Sequence, residues 1–153
     1  MMTADRLARV VQLIGLRPEL WQEKVDFDPD SRYYARLGTT DTYEVWLLTW
    51  LPGQTTELHD HGDAVGGFTV VAGLLRERQV VELGGGRHSL RERHLPPGTV
   101  RAVERGLRHE VLASSTPAVS IQAYAPALTE MTRYTLADGR LRDHGPIEGQ
   151  VTP

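Results

Sequence analysis

The stretch Trp50-Leu51-Pro52-Gly53-Gln54-Thr55-Thr56-Glu57-Leu58-His59-Asp60-His61-Gly62-Asp63 decides how this chain is read. Its centre is His59-Asp60-His61. On an extended strand, residues two apart project to the same face, so both imidazoles can converge on one point. Imidazole binds borderline divalent metals such as iron, zinc, copper and nickel. Taken alone, a His-x-His pair fits two surface histidines on a strand at least as well. Its surroundings are β in character. Upstream, Tyr43–Leu51 is rich in aromatic and branched residues and is stopped by Pro52-Gly53. Downstream, Phe68–Ala72 and Leu74–Leu83 flank Gly73, which reads as a tight turn.

Further out the pattern continues. It is β from Tyr33 onward, with turns at Gly84-Gly85-Gly86 and Pro96-Pro97-Gly98 and short strands at Val111–Ala113, Val119–Tyr124 and Arg133–Leu136. Strands at this spacing predict a sandwich or a double-sheet jelly roll, the class that contains the cupin double-stranded β-helix. Ahead of them, Leu7, Val10, Val11 and Ile14 recur on one helical face, with Thr3 as cap and Gly15 and Pro18 as stops. Pro18–Trp21 can begin a second short helix, and Asp26–Asp30 connects to the strands. The expectation is one β-dominated domain: a helical segment over 1–30, a β-barrel over 31–141 and a polar tail over 142–153 that wraps the surface or frays.

Composition removes other classes. With 153 residues, 40% hydrophobic and 24% charged, the chain suits a single globular domain with a small ligand cavity. A formal charge of −3 argues against non-specific nucleic-acid binding. No apolar run is long enough to span a bilayer and no signal pattern opens the chain, so a cytoplasmic monomer or weak dimer without membrane partners is expected. Cysteine is absent, which excludes disulfides, thiolate ligands and thiol nucleophiles. A transition metal here must be held by His, Asp or Glu.

Gly53 lies six residues before His59, and Gly73 twelve after His61. This resembles the first cupin motif, in which glycines bracket two histidines and an acidic ligand. The acidic ligand would fall at Gly66. Without it, three neutral histidines leave a divalent ion its full formal charge, which suits an incoming thiolate or other anion. The resemblance to cupins implies a third histidine after a Pro-x-Gly turn in the second half, and Pro96-Pro97-Gly98 precedes His109. His88 beside the triple glycine, His94 before the turn and His144 in the tail are the competing candidates, and His109 is preferred.

These residues resemble the cysteine dioxygenase family of cupin thiol dioxygenases, bacterial type, from about Arg32 to Met131. The firmest stretches are Trp50-Leu51-Pro52-Gly53 leading into the histidine pair, Pro117-Ala118-Val119-Ser120-Ile121-Gln122-Ala123-Tyr124, and His109-Glu110-Val111. The resemblance implies a mononuclear Fe(II) held by His59, His61 and His109. It implies that Tyr34-Ala35-Arg36 supplies an arginine for the substrate carboxylate, a task suited to the guanidinium fork. It also implies that the Tyr124 hydroxyl faces iron and substrate, and that both atoms of dioxygen pass to the sulfur of a small thiol in cysteine catabolism. Arginine rather than glutamine at the carboxylate position makes L-cysteine the first-choice substrate.

Two departures stand out. Gly66 occupies the position where mammalian members carry a cysteine cross-linked to the tyrosine, so no Cys–Tyr cross-link can form. The family's serine-histidine-tyrosine relay becomes Ser120, Gln122 and Tyr124. Gln122 can hydrogen-bond the tyrosine but cannot titrate near neutral pH. Another small thiol carboxylate such as 3-mercaptopropionate, a non-thiol metal cupin enzyme and a ligand-binding cupin therefore stay open as alternatives.

Overall fold

The computed structural model describes residues 1–147 and 152–153. Helix α1, Ala4–Gly15, is capped by the Thr3 hydroxyl, which accepts from the Arg6 amide. The chain then turns through two single 3₁₀ turns, Pro18–Leu20 and Gln22–Lys24. Ten strands follow. β1 (Tyr34–Thr39), β2 (Glu44–Trp50), β3 (Val65–Ala72), β6 (Val100–Val103) and β8 (Ala118–Ala125) form a five-stranded sheet in the order β1-β2-β8-β3-β6. β4 (Leu75–Gly84), β5 (Arg87–Leu95) and β7 (His109–Ala113) form a second sheet in the order β5-β4-β7. β9 (Thr132–Ala137) and β10 (Arg140–Pro146) make a hairpin. The sheets remain separate rather than closing into one hydrogen-bonded barrel. Among the described residues, no helix is long and apolar enough to cross a membrane.

The five-stranded sheet is covered on both faces. Trp46, Leu48 and Trp50 of β2 and Phe68 and Val70 of β3 meet Leu75, Leu95, Val111 and Ala113 of the second sheet. From the opposite face Val45, Ile121, Ala123 and Ala125 pack against Ala4, Leu7 and Val11 of α1. This explains why every residue of β2 and β8 is buried, including Ser120 and Gln122 of β8, which alternate with Val119, Ile121 and Ala123. A fully buried aliphatic such as Leu47 or Leu75 contributes about 1.5–3 kcal/mol relative to exposure. Two glycines are required by this packing. A Cβ at Gly67 would lie 2.5 Å from the Ala8 amide nitrogen, so α1 rests directly on the strand there. Gly73 turns the chain at φ +72°, where a Cβ would lie 2.1 Å from the Pro117 carbonyl oxygen.

The expected strands are present with boundaries moved by a few residues, and β5, β6 and β10 are additional. β10 runs to Pro146, so the segment expected as a tail from residue 142 begins as a paired strand. Asp138-Gly139, both at positive φ (52° and 75°), makes the turn before it.

Candidate metal centre

His59-Asp60-His61 does not lie on a regular strand, contrary to the sequence expectation. His59 is instead held by isolated bridges to His109 on one side and Arg133 on the other. Its amide donates to the His109 carbonyl at 2.9 Å, and the His109 amide donates back to the His59 carbonyl at 2.9 Å. Directly opposed residues carry neighbouring side chains, so this pair alone sets two imidazoles side by side, ring centroids 4.9 Å apart. His61 joins them from two residues on. Asp60 between them points away: its carboxylate accepts from the Gly62 amide (3.0 Å), the Thr132 amide (3.3 Å) and the Tyr134 hydroxyl (2.7 Å). That pins the turn to β9.

The three histidines are buried, with one potential ligand nitrogen from each lying within 4.8 Å of the others. His59 donates Nδ1–H to the Glu57 carbonyl at 2.6 Å, and His109 donates Nδ1–H to a Glu77 carboxylate oxygen at 2.8 Å. In the neutral form of each ring, Nε2 is then left as the lone pair that can bind a metal. His59 Nε2 stands 3.1 Å from His61 Nε2, the spacing of two nitrogens each about 2.1 Å from a shared ion at near right angles. Burial, reinforced by the charges of His109 and Arg32, pushes His59 down to about 3. Burial and the other two rings push His61 well below its ordinary value. Converging neutral lone pairs away from water call for a cation, and this donor set fits a divalent transition metal. His88 is half-buried, and His94 and His144 are exposed and belong to other surfaces.

A small cavity of about 20 Å³ opens at the histidines, lined also by Thr56, Phe68, Gln122 and Tyr124. It adjoins a vestibule of about 270 Å³ whose walls include His59, Arg32, Thr56 and Met131. Burial raises Tyr124, so its hydroxyl stays protonated, and it donates to Gln122 Oε1 at 2.7 Å. Ser120 is buried on the same strand face, but its hydroxyl accepts from Trp50 Nε1 at 3.0 Å. Of the expected relay only the Gln122–Tyr124 link is formed.

Arg36 is not brought to this cavity. It lies over Trp46 (4.7 Å to the ring centroid), 3.5 Å from the Glu44 carboxylate, with its side chain 52% exposed. Tyr34 is exposed and packs edge-on against Trp46. The arginine that reaches the vestibule is Arg32, four residues earlier. It lies over Trp50 at 5.3 Å and donates to the Pro153 carbonyl at 3.0 Å. Burial lowers its pKa, while the Tyr124 and Tyr34 hydroxyls oppose that shift. Residues 32, 34 and 36 share strand parity, so alternation alone does not separate them. Glu77 is the other residue that the sequence reading passed over. It sits fully buried between His109 and Arg101. The available signal was a charge two residues after Leu75, on the same strand face as that apolar residue. Burial opposes its ionisation, but the His109 hydrogen bond and the Arg101 guanidinium outweigh this and hold the carboxyl below its usual range.

Solved structures share the architecture. A Thermus thermophilus protein matches at 21% identity and TM-score 0.59, over 69% of this chain and 93% of its own. A Klebsiella pneumoniae protein described as having a double-stranded β-helix domain matches at 21% identity and TM-score 0.60, over 76% and 88%. A DMSP lyase from Ruegeria pomeroyi matches at 18% identity and TM-score 0.54, over 72% and 53%. These likenesses establish the cupin fold and leave the reaction open. The curated proteins contain no match. A family model described as cysteine dioxygenase type I matches residues 2–137, nearly the whole of the described chain, and the protein belongs to that family.

Proposed function

We propose that the protein is a non-haem Fe(II) thiol dioxygenase whose substrate is L-cysteine. The carrying observation is the set of three converging histidine nitrogens, with no carboxylate among them, opening onto a vestibule that holds a half-buried arginine. The overall change is RSH + O₂ → RSO₂H: two S–O bonds form, the O–O bond breaks, and sulfur supplies the electrons that reduce dioxygen. Bound by His59, His61 and His109, iron would keep the thiol deprotonated and bring sulfur beside oxygen.

The chain's own residues do the rest. Arg32, rather than Arg36, receives the substrate carboxylate. It lines the vestibule together with His59, and its guanidinium already binds an oxygen acceptor, the Pro153 carbonyl, which the substrate would replace. Arg36 serves Glu44 instead. Tyr124 lies beside His61, ring centroids 5.0 Å apart, and it borders the space where sulfur and oxygen would meet. Gln122 fixes the direction of the Tyr124 hydroxyl. Phe68, Val103 and Val111 keep the cavity dry. Gln122 is the one feature that favours a different small thiol carboxylate, because it gives this relay no group that titrates near neutral pH.

Anaerobic reconstitution with Fe(II), followed by oxygen uptake against cysteine, 3-mercaptopropionate and cysteamine with mass detection of sulfinate, tests the reading. Fastest uptake with cysteine is expected. Iron-loaded protein that consumes no oxygen with any thiol refutes it.

A further inference from the structure

The three histidines are alike in type but not in what stands behind them. Behind His59 is a neutral acceptor, the Glu57 carbonyl. Behind His109 is the Glu77 carboxylate, 0% exposed, on the inward face of β4 and opposite Val111. Core neighbours Leu75, Leu95 and Val111 surround that level of the sheet. An apolar residue would be the more stabilising occupant there, since a buried carboxylate loses its hydration and regains it only through well-placed partners. Glu77 has two. Oε2 accepts from His109 Nδ1 at 2.8 Å, and Oε1 accepts from Arg101 Nη2 at 2.8 Å. The carboxylate is thus shared between a candidate metal ligand and a cation that draws charge the other way.

We infer that Glu77 is a positioning residue of the metal centre, fixing the His109 ring and making it the most electron-rich of the three ligands, with Arg101 setting how much of the carboxylate charge reaches it. A carboxylate that accepts the Nδ1 proton orients the ring, fixes the tautomer and strengthens Nε2 as a donor. The chain has glycine at 66, so no carboxylate comes to the ion from that position. Glu77 returns negative charge from one imidazole away without consuming a coordination position. The inference rests on reading His59, His61 and His109 as a metal site, and it is independent of which substrate is used.

Three variants test it: Glu77→Gln, Arg101→Met and, as a control, Glu44→Gln. Glu44 is also a buried carboxylate, but it accepts from the Leu128 amide and touches no histidine ligand. Two measurements are made on protein shown by circular dichroism to be folded: Co(II) affinity by chelator competition, and the midpoint potential of the Fe(III)/Fe(II) couple. Glu77→Gln should weaken Co(II) binding about 10–100-fold and raise the potential. Arg101→Met should lower the potential, because more of the carboxylate charge then falls on His109. Glu44→Gln should leave both unchanged. A purely structural Glu77 would shift the potential in the same direction in both site variants, or in neither, and either result overturns the inference. If Glu77→Gln does not fold, Arg101→Met decides alone: a lowered potential supports the inference and an unchanged or raised one overturns it. Absence of thiol oxidation with these shifts intact would refute the proposed function and leave this inference standing.

Discussion

The two sheets that enclose the candidate centre are built on different physical terms. The five-stranded sheet is covered on one face by α1 and on the other by the core, and it contributes Gln122 and Tyr124 from a strand with no exposed residue. The three-stranded sheet buries one face only. It contributes His109 and Glu77, while Arg76, Arg78 and Glu92 form ion pairs on its outer side. One sheet supplies rigidity through apolar area; the other places charge at the site. Substitutions in the first should therefore cost stability, and substitutions in the charged residues of the second should cost metal binding.

The sharpest break is at the histidines. His61→Ala or His109→Ala should abolish stoichiometric metal binding and oxygen uptake, with secondary structure retained by circular dichroism. Retained stoichiometric iron in either variant would remove that residue from the site. Next in size is the stability contrast. Trp50→Ala, in the doubly covered sheet, should lower unfolding free energy by about 3–5 kcal/mol. Leu90→Ala, on the half-exposed strand β5, should change it by no more than about 0.5 kcal/mol. Urea titration measures both, and equal losses would erase the distinction between the sheets.

Between the arginines the expected difference is in KM. Arg32→Ala should raise KM for cysteine about ten- to a hundredfold, the worth of a charged hydrogen bond, and leave cysteamine little changed. Arg36→Ala should affect both thiols little. The reverse pattern would return Arg36 to the role that the Tyr34-Ala35-Arg36 motif suggested. The smallest effect concerns pH. Folded, metal-free His59 titrates near 3, far below an unfolded histidine near 6.5, so the unfolded chain binds the extra proton between these values. Stability of the metal-free protein should be complete above about pH 6.5 and decline as pH falls toward 3. A urea midpoint that is flat across this range would contradict the burial assigned to His59.

Much of this was legible in the sequence, for physical reasons that differ by element. α1 was readable because its apolar residues repeat with helical spacing and Thr3 supplies a cap. β2, β3 and β8 were readable because each is rich in branched and aromatic residues and is bounded by turns. β5 and β10 were not. Arg87–Leu95 and Arg140–Pro146 face solvent with few apolar residues, so pairing rather than burial defines them, although Asp138-Gly139 is a hairpin turn signal that pointed to β10. At the site, the histidines were legible from spacing and from the turn before His109. The position of Arg32 at the vestibule was not, because choosing among residues 32, 34 and 36 needs the fold. Glu77 was hidden for a similar reason: only the fold reveals that its partner is the ring of His109.

The account stands most directly on one reaction. Single turnover of the anaerobic Fe(II)-loaded protein with L-cysteine and isotopically heavy dioxygen should give cysteine sulfinate in which both oxygens carry the label. Sulfinate labelled at one oxygen or none, or cystine as the sole product, would contradict the assignment of dioxygenation to this histidine centre.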